Sequence, residues 1–388
     1  MAKILQIIPS LDQINGGVER GTLDIAKELI KVGFQSSLLS SGGEMAEKYK
    51  YRGVEHHKLN IKKKGVFSYF ILKNKMRKIL NEIKPDIVHI RSRWPAFCFN
   101  KIVKQHRIPL VTTYHGTYSG INFYPKKKYN SVMTEGDKVI TISKFIDDHV
   151  RFNFPSTKSK LIQINRGIDT QYFDLNAVTE LRKENLLSKL TLSENVHVIL
   201  LPARITSWKG HLVALDAAKF IKQREPELNF VILFVGSEDG KKKFSKILKK
   251  KIQKNDLENK FIFCGNLGDM PAVYSIADIV LSTSTEPEAF GRISAEASSM
   301  TKPIISSNHG GSREIIENSI TGWLVEPSNP EQLAEKILDV LNLSQAKKDS
   351  IGLSARRRVK EKFSLNDMLK KTLAVYEDLL STKKNFNH

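Results

Sequence analysis

The chain has 388 residues, of which 40% are hydrophobic and 27% are charged. This length is typical of two packed domains, and the composition excludes a disordered, collagen-like or membrane-embedded chain. Lysine and arginine outnumber aspartate and glutamate by 62 to 41, a formal net charge of +21, so a polyanion or an anionic surface has to be considered as a partner. The excess is concentrated in residues 1–170, which hold 30 basic and 14 acidic residues.

The cysteines and the apolar runs indicate where in the cell the protein is expected. Cys98 and Cys264 are far apart and have no partner at metal-ligand spacing, so we expect neither a disulfide framework nor a zinc site. The first residues lack the long apolar core of a signal peptide, and no stretch approaches the roughly 18 apolar residues of a membrane span. We therefore expect a cytoplasmic protein that is soluble or peripherally bound to a membrane.

In the first 170 residues, short β-branched runs alternate with segments of helical period. The pattern predicts strands at residues 4–8, 35–40, 87–91, 110–114 and 138–143, and helices at 21–32, 76–83 and 144–152. Ser143 has the chemistry of an N-cap for the last of these helices. Such alternation predicts parallel strands joined by crossover helices, which is a doubly wound α/β domain.

A polar stretch at residues 165–192, helical only near 178–190, separates this series from a second one. The second series predicts strands at 196–202, 230–235, 261–264, 279–282 and 303–306, and helices at 210–223, 241–254, 270–277, 292–299 and 330–343. A long amphipathic helix follows at 364–380. We expect two doubly wound domains, at 1–170 and 171–363, followed by a C-terminal helix at 364–388 that can pack back across the domain junction.

Ligands bind beyond the carboxyl ends of the strands in such sheets, so the loops after strands are the candidate sites. Gly16 and Gly17 follow the first strand and would let backbone N–H groups approach an anion, although an ordinary strand-to-helix turn explains them equally well. Neither Gly-x-Gly-x-x-Gly nor a P-loop motif occurs, which argues against a dehydrogenase and an NTPase.

A histidine follows a later strand of the first domain. His115 lies in a polar, aromatic turn, where an imidazole can hydrogen-bond a sugar hydroxyl or transfer a proton near neutral pH. A lone histidine is more often structural, and its position at a strand end is what makes it a candidate.

Two cations flank the turn after the first strand of the second domain. Arg204 and Lys209 precede a predicted helix whose first N–H groups are free. Two cations and a helix N-terminus at one point would suit a diphosphate, whereas the alternative is two solvated charges in a basic protein.

The loop 286–297 carries two glutamates eight positions apart. Glu288 can accept hydrogen bonds from sugar hydroxyls, residues 289–291 offer backbone donors to a phosphate, and Glu296 on the following helix can hold a ribose diol. An acidic residue near a helix N-terminus is also ordinary helix chemistry, which explains one glutamate but not the whole arrangement.

Together these loops resemble glycosyltransferase family 4, retaining nucleotide-sugar enzymes of the GT-B fold. The resemblance lies in an ordered set: Gly-Gly-Val-Glu-Arg at 16–20, Tyr-His-Gly-Thr-Tyr at 114–118, Arg204 to Gly210, Glu288 with seven residues before Glu296, and Gly-Gly at 310–311 with Glu314. Pro-Glu-Ala-Phe-Gly-Arg at 287–292 and Trp-Lys-Gly at 208–210 are most similar to bacterial enzymes that extend lipopolysaccharide cores or other envelope glycans.

The resemblance implies two Rossmann-like domains facing a central cleft, with a C-terminal helix crossing back to the first. It also implies that Arg204 and Lys209 neutralise the leaving diphosphate of the donor, a nucleotide-diphosphate sugar of the UDP or GDP type, and that Glu288 holds the transferred sugar. His115 would contact that sugar, and Glu296 would bind the ribose. The remaining donor-binding residues that it implies are Gly16, Gly17, Gly265, Asn266, Leu267, Phe290 and Gly291.

One position departs from the family, and one motif is missing. Arg292 stands where the family commonly has an aliphatic residue, so it is a candidate contact for phosphate or acceptor. No Asp-x-Asp motif occurs in a suitable place, and cationic side chains can supply the same electrostatic stabilisation, so we expect no obligatory metal or cofactor.

We expect retaining transfer by front-face departure of the donor phosphate, to a glycan or lipid-linked acceptor. The alternatives are a nucleotide-sugar epimerase or phosphorylase of the same fold and, from another class, a nucleic-acid-binding protein. The lysine clusters at 62–64, 126–128 and 241–251 lack interleaved aromatics or a recognisable motif for nucleic acid. The basic excess of the first domain instead suggests anionic lipid at the cytoplasmic face of the inner membrane.

Overall fold

The structure is a computed structural model that describes residues 1–12, 17–50, 53–190, 192, 195–238 and 242–385. The chain divides into two compact units. Unit 1 comprises Met1–Arg166 and Asn366–His388, and unit 2 comprises Gly167–Leu365.

Unit 1 is built on a parallel sheet that has seven strands within the described residues, in the order β3-β2-β1-β4-β5-β6-β7. The strands are β1 (Lys3–Ile7), β2 (Gln35–Ser40), β3 (Glu55–Lys58), β4 (Ile87–Ile90), β5 (Leu110–Tyr114), β6 (Lys138–Thr141) and β7 (Leu161–Gln163). The helices between them are α1 (Gly17–Lys31), α2 (Glu44–Lys50), α3 (Val66–Ile83), α4 (Arg93–Gln105), α5 (Tyr124–Ser131) and α6 (Lys144–Asn153).

Unit 2 repeats this plan with a sheet of six described strands in the order β10-β9-β8-β11-β12-β13. The strands are β8 (His197–Leu201), β9 (Phe230–Val235), β10 (Phe261–Gly265), β11 (Ile279–Ser282), β12 (Ile304–Ser307) and β13 (Trp323–Val325). The helices are α7 (Glu180–Leu190), α8 (His211–Arg224), α9 (Lys242–Lys254), α10 (Met270–Ser275), α11 (Arg292–Ser299), α12 (Ser312–Ile315), α13 (Pro330–Leu341) and α14 (Gln345–Lys362), and α15 (Leu365–Asn385) ends the described chain.

The central strands of both sheets are buried on both faces. Every residue of β4, β5, β9 and β11 is buried. The sequences of β4 (Ile-Val-His-Ile) and β11 (Ile-Val-Leu-Ser) are therefore mostly continuous apolar runs and do not alternate between apolar and polar residues. Amphipathic helices such as α1 cover the sheets, with Leu23, Ala26 and Leu29 turned inward. The prediction of doubly wound α/β structure in each half of the chain is confirmed.

Strand order fixes where a site can lie. In unit 1 the order reverses between β1 and β4, and in unit 2 it reverses between β8 and β11. The loops that leave the carboxyl ends of two strands diverge at such a switch point and form a crevice. The loops after β8 and β11 are those that carry Lys209 and Glu288.

Several element boundaries differ from the sequence expectation. Helix α3 begins at Val66, ten residues before the predicted start, because its first two turns carry apolar residues on the solvent side and disturb the amphipathic period. Strand β3 was not predicted, since Glu-His-His-Lys at an exposed sheet edge has no apolar alternation. Ser143 does cap α6, and its hydroxyl accepts a hydrogen bond from the Ile146 N–H at 3.1 Å.

The last helix contributes to the core of unit 1. The buried hydroxyl of Tyr376 lies 2.6 Å from Nδ1 of His89, which is in the middle of β4. Among the helices of the described chain, none has the length and apolar character needed to cross a membrane.

Candidate active site

The turn after β8 is held against the loop after β11 by a glycine. Residues Ser207–Lys209 form one 3₁₀ turn, and Gly210, with φ +76°, links this turn to α8. A Cβ atom at Gly210 would lie 1.8 Å from the carbonyl oxygen of Thr283. Because only glycine permits this approach, the position of Lys209 depends on Gly210.

Lys209 forms a largely buried ion pair with Glu288. Lys209 Nζ lies 2.7 Å from Glu288 Oε1, and each side chain is only 12% exposed. The Ser284 hydroxyl donates to the same carboxylate oxygen at 2.5 Å, and the Lys209 ammonium also lies 4.1 Å from the centroid of the Trp208 ring. The two side chains that the sequence placed in separate loops are therefore brought together.

The charge state of this pair follows from its surroundings. Burial pushes the pKa of the Glu288 carboxyl upward, but the Lys209 ammonium and the hydrogen bonds from Lys209 and Ser284 outweigh burial, so the pKa lies below its ordinary value. His309 contributes in the same direction. Glu288 is therefore an anion at neutral pH, and its first role is that of a hydrogen-bond acceptor.

Two glycines after β12 position the backbone of Glu288. The Gly311 N–H donates to the Glu288 carbonyl at 2.8 Å, and a Cβ at Gly310, where φ is +59°, would lie 2.5 Å from that carbonyl oxygen. The Gly-Gly turn thus acts as a backbone cradle for the loop that carries Glu288.

Phe290 and Gly291 connect this loop to α11. The Phe290 side chain is buried against Phe363, with ring centroids 6.0 Å apart, so its backbone is fixed while its ring takes no part in the site surface. Gly291 has φ +88° and precedes the first residue of α11. Helix α11 consists largely of small serine and alanine residues and is buried along almost its whole length. Glu296, which lies on this helix, is therefore in the interior.

Both carboxylate oxygens of Glu296 are hydrogen-bonded. The Tyr274 hydroxyl donates to Oε2 at 2.8 Å, and Arg292 Nε donates to Oε1 at 2.6 Å. The Glu296 side chain is 8% exposed and that of Arg292 is 33% exposed. Arg292, a candidate contact for phosphate or acceptor, therefore holds the carboxylate one turn along its own helix.

The other candidates of unit 2 are exposed. Arg204 is exposed, in contrast to the buried pair, and so are Gly265 and Asn266 at the end of β10, while Leu267 is partly buried. Gly265 has φ +62° and open space around its Cβ position. The loop after β10 therefore offers accessible backbone and a small side chain at the sheet edge.

In unit 1, Arg166 links two of the candidates. Gly16 lies outside the described residues, and Gly17 is the first residue of α1. A Cβ at Gly17 would lie 3.2 Å from Arg166 Nε, and one at Gly21 would lie 2.7 Å from the same guanidinium. His115 Nδ1 is 3.3 Å from Arg166 Nη1. The two glycines, four residues apart on one face of α1, leave the space that Arg166 occupies.

His115 is held neutral in this setting. Burial, followed by the charges of Arg166 and Arg91, lowers the pKa of its imidazole well below the ordinary value. Its Nε2 is buried, has no hydrogen-bond partner within the described residues, and borders a cavity of about 20 Å³ next to Arg91 and Thr113. Of the two roles expected for this histidine, hydrogen bonding to a hydroxyl fits these surroundings and proton transfer near neutral pH does not.

Two family models match the chain in succession. Residues 15–172 match Glycosyltransferase Family 4, and residues 182–358 match Glycosyl transferases group 1. A glycosyltransferase of known structure from Rickettsia africae ESF-5 is 37% identical to the chain, with a TM-score of 0.89 and coverage of 98% of both chains. The chain belongs to glycosyltransferase family 4. The resemblance inferred from the sequence is thereby confirmed.

More distant relatives of this glycosyltransferase differ in their named activities. The N-acetyl-alpha-D-glucosaminyl L-malate synthase of Bacillus anthracis is 23% identical over 93% of this chain and 94% of its own length. The lipopolysaccharide 1,2-N-acetylglucosaminetransferase of Salmonella typhimurium is 26% identical over 58% of each chain. Anabaena HepE, solved with UDP-glucose, has a TM-score of 0.82 at 21% identity over 97% of this chain and 100% of its own. The GT-B fold is confirmed.

Several side chains close to these candidate residues were missed from the sequence. Arg91 follows β4, Arg166 follows β7 and Ser284 follows β11, so the strand-end rule that selected His115 applies to each of them. Tyr274 lies inside α10, and nothing in its spacing to Glu296 predicts their contact. Within the described part of the chain, no group of three or more His, Cys, Asp or Glu side chains is arranged to hold a metal ion.

Proposed function

We propose that this glycosyltransferase moves a sugar from a nucleotide-diphosphate sugar to an acceptor hydroxyl with retention of anomeric configuration. The observation that carries the proposal is the buried ion pair of Lys209 and Glu288 at the switch point of unit 2. Beside it begins α8, a helix of 14 residues whose N-terminus carries a partial positive charge. Cation, helix terminus and carboxylate thus meet in one place.

Lys209 and Arg204 act on the leaving group. As the bond between the sugar and the diphosphate breaks, negative charge develops on the terminal phosphate oxygen. Lys209 Nζ is fixed by Glu288 and by the Trp208 ring, so its charge needs little reorganisation when that oxygen becomes anionic. Arg204 is exposed at the same turn and approaches the diphosphate from the solvent side.

Glu288 binds the transferred sugar. An ionised carboxylate offers about four acceptor positions, and Lys209 and Ser284 both use Oε1, so Oε2 is available to sugar hydroxyls. The backbone of residues 289–291 approaches the phosphate, and the phenyl ring of Phe290 anchors that backbone in the core of unit 2.

The nucleotide lies between α11 and the loop after β10. Glu296 accepts the ribose diol with the acceptor positions that Tyr274 and Arg292 leave on its two oxygens. Arg292 therefore orients the Glu296 carboxylate that accepts hydrogen bonds from the ribose, and it contributes positive charge near the diphosphate. Gly265, Asn266 and Leu267 receive the base. A uridine nucleotide is favoured over a guanosine nucleotide by analogy with HepE.

The candidates of unit 1 serve the sugar and the diphosphate. His115 presents Nε2 to a sugar hydroxyl, which would give this buried atom its hydrogen-bond partner. Gly17 brings its backbone N–H toward the diphosphate, and Gly16 stays a sequence-based prediction for the same contact. Burial and the charge of Arg166 keep His115 neutral, and the contact with Arg166 orients its ring.

Retention follows if the acceptor attacks from the face that the phosphate leaves. Glu288 is engaged by a lysine, which makes it a poor nucleophile for a double displacement. The leaving phosphate itself takes the acceptor proton as the new glycosidic bond forms, and the acceptor oxygen replaces the phosphate oxygen on the same face. No metal ion or cofactor is needed for this charge balance, since Lys209 and Arg204 supply the positive charge.

The acceptor that we propose is a lipopolysaccharide core or another envelope glycan, free or lipid-linked. The named activity of the relative from Salmonella typhimurium supports this class of acceptor. The name of the relative from Bacillus anthracis instead contains L-malate, which is a small hydroxy acid. We place the enzyme in the cytoplasm, peripherally bound to the inner membrane, because the excess of positive charge in residues 1–170 suits anionic lipid.

The test combines donor binding with transfer. Nucleoside diphosphates and their sugars are screened by thermal shift, since a ligand that binds only the native state raises the melting temperature, and the best donor is then incubated with envelope glycan acceptors. Lys209→Ala and Glu288→Gln should lower kcat about 100-fold or more. Lys336→Ala, which removes an exposed ion pair with Asp339 in the same unit, is the matched control.

Anomeric configuration of the product is read by NMR. An inverted product, or near-normal turnover in either site variant, would overturn the proposed mechanism. Interconversion of the donor sugar without any acceptor would identify an epimerase, and dependence on inorganic phosphate as acceptor would identify a phosphorylase.

A further inference from the structure

Helix α3 of unit 1 has two apolar faces, and only one of them is covered. At 100° per residue, Leu72, Met76 and Leu80 share the side that packs into the unit, and all three are buried. Residues 67, 70 and 71 fall on the opposite side of the helix, and residue 66 lies in the first turn between the two sides. A surface helix normally places polar residues there.

This second apolar face is strongly exposed. The exposed fractions are 73% for Val66, 87% for Phe67, 58% for Phe70 and 55% for Ile71. Single exposed apolar residues are ordinary on a protein surface, but four exposed neighbours within the first two turns of one helix form a contiguous patch, which is characteristic of an interaction surface. We call these four residues the α3 patch.

Aromatic rings extend the α3 patch across the neighbouring helices. The Tyr69 ring is 5.4 Å from Phe70 and 5.4 Å from Phe97 on α4, and the Phe97 ring is 5.7 Å from Tyr129 on α5. Phe97 itself is 45% exposed. The apolar surface is thus continuous from α3 to α5, where the lysines at 126–128 begin the next basic run.

Positive charge surrounds the patch. Residues 61–78 contain six lysines and one arginine and no acidic residue. Lys62 pairs with Asp12, but Lys63, Lys64 and Lys75 are exposed. Lys63, Lys64 and Lys75 also line a groove of about 360 Å³ together with Ile71 and Leu72. Lysines around an apolar centre are the arrangement in which alkyl stems lie on apolar surface while the ammonium groups reach outward.

We propose that the α3 patch inserts into the surface of an anionic lipid bilayer, with the surrounding lysines on lipid phosphates. Burial of apolar side chains at the depth of the acyl chain boundary supplies one part of the binding, and attraction between lysines and anionic head groups supplies the other. The inference extends the proposed peripheral location by naming the inserting residues, and it does not depend on the transfer reaction.

A bilayer fits these observations better than the other occupants. A nucleic acid would use the lysines but has no use for four exposed apolar side chains at the centre of the surface. A second copy of the chain would bring the same basic run against itself, and like charges at a contact are unfavourable. A bilayer with anionic lipid matches both the apolar centre and the basic surround.

The experiment is flotation with vesicles of phosphatidylcholine alone and of phosphatidylcholine mixed with phosphatidylglycerol. The unmodified chain should bind only the mixed vesicles, and less at high salt. Phe67→Ser with Ile71→Ser removes apolar surface and keeps every charge, and it should weaken binding about tenfold or more. Lys63→Glu with Lys64→Glu keeps the apolar surface and should weaken it by a similar factor.

The matched control lies in unit 2. Leu181 and Leu353 are exposed to 66% and 63%, so Leu181→Ser with Leu353→Ser removes similar apolar surface elsewhere and should leave binding unchanged. Insertion is measured directly with Phe67→Trp. Its added fluorescence, compared with that of the parent chain, should be quenched by lipids brominated near the head of the acyl chain.

Four outcomes would overturn the inference. They are equal binding to both kinds of vesicle, unchanged binding by the Phe67 and Ile71 double variant, a change in oligomeric mass in that variant with vesicle binding intact, and binding to generic DNA that the same variant loses. Because no donor or acceptor is present, a failed transferase assay leaves this test unaffected. Conversely, donor binding and donor turnover in detergent should be the same in the double variant as in the unmodified chain.

Discussion

The strand ends of the two units handle buried charge in different ways. In unit 2, buried carboxylates are matched by cations, with Glu288 on Lys209 at 2.7 Å and Glu296 on Arg292 at 2.6 Å. In unit 1, buried arginine lies beside imidazoles and amides. Arg91 donates to the Gln6 side chain at 3.0 Å and lies 3.4 Å from His89. One unit presents matched pairs at its switch point, and the other presents Arg91, which feels the charge of Asp24 but lies next to a neutral ring and an amide.

The two arrangements would serve different functions in binding an anionic donor. A matched pair costs desolvation energy when it forms, but it fixes both partners before the ligand arrives, which suits the groups nearest the developing charge. Burial, reinforced by the neighbouring cations, keeps the imidazoles neutral and so preserves them as hydrogen-bonding groups. We therefore expect unit 2 to be sensitive to loss of either partner, and unit 1 to be sensitive to pH.

The largest effect should come from breaking the buried pair of unit 2. Lys209→Ala leaves the Glu288 carboxylate buried without its cation, so the free energy of unfolding should fall by about 3 to 5 kcal/mol. Lys209→Met with Glu288→Gln removes both charges and should recover most of that loss. Urea unfolding of Lys209→Met, Glu288→Gln and the double variant closes the cycle and gives the coupling energy.

If the single and double variants lose the same stability, the two side chains do not act as a pair, and the contrast between the units fails. Arg224→Ala serves as the comparison, because Arg224 contacts Glu331 and Glu335 on an exposed surface. Its removal should cost less than about 1 kcal/mol.

The next effect concerns the glycine that positions Lys209. Gly210→Ala combines a left-handed φ of +76° with a Cβ only 1.8 Å from the Thr283 carbonyl oxygen, so it should destabilise the chain by about 3 kcal/mol and lower transfer activity. Gly33→Ala has a similar φ of +88° but open space around the new atom, and it should cost only about 1 kcal/mol. Thermal unfolding of both variants checks the difference, and equal losses would show that backbone strain alone sets the cost.

Much of this arrangement follows from the sequence, and the rest depends on tertiary packing. The strand-end rule found Lys209, Glu288 and His115, because the order of parallel strands decides which loops meet. It did not reveal that Lys209 and Glu288 share a hydrogen bond, since the loops after β8 and β11 are separated by about 80 residues and their close approach at Gly210 and Thr283 is a tertiary contact.

Elements whose sequence pattern conflicts with their surroundings were not predicted. The apolar residues at the start of α3 face away from the core, so the period that marks a helix was obscured where the helix begins. The partners of Glu296 were missed for another reason. Tyr274 comes from a different helix, and its contact with Glu296 is fixed by the packing of α10 and α11, which no local pattern encodes.

In unit 1, the contrast predicts that stability depends on pH through neutral buried histidines. Burial, followed by Arg91 and His115, lowers the pKa of His89 well below its ordinary value, and burial likewise lowers that of His115. Below about pH 6.5 the unfolded chain binds protons that the native chain does not, so the free energy of unfolding should fall as pH falls, by about 1.4 kcal/mol per pH unit for each histidine.

His115→Asn keeps a hydrogen-bonding side chain and should remove one such contribution from the slope between about pH 6.5 and about pH 5. The comparison is His211→Asn in unit 2, where burial lowers the pKa to about 4, so its slope should persist to about that pH. Urea unfolding at several pH values measures both. An unchanged slope in the His115 variant would mean that this imidazole titrates normally and that the cations of unit 1 do not hold it neutral.

The smallest effect should come from one hydrogen bond to Glu296. Burial and the neighbouring carboxylate raise the pKa of Tyr274 well above its ordinary value, so its hydroxyl stays a donor at every working pH. Tyr274→Phe should lower the free energy of unfolding by about 1.5 kcal/mol, because Arg292 still holds the other carboxylate oxygen. Tyr124→Phe, at a site 74% exposed, should change nothing measurable.

Steady-state kinetics of Tyr274→Phe then test what Glu296 does. If Glu296 binds the ribose, losing one of its two orienting partners should raise KM for the donor by a few-fold and leave kcat nearly unchanged, because the ribose is bound equally before and during the reaction. A fall in kcat at unchanged KM would instead assign Glu296 to the reacting sugar. The matched pairs of unit 2 would then both act on the bond that breaks, and the nucleotide would be recognised elsewhere.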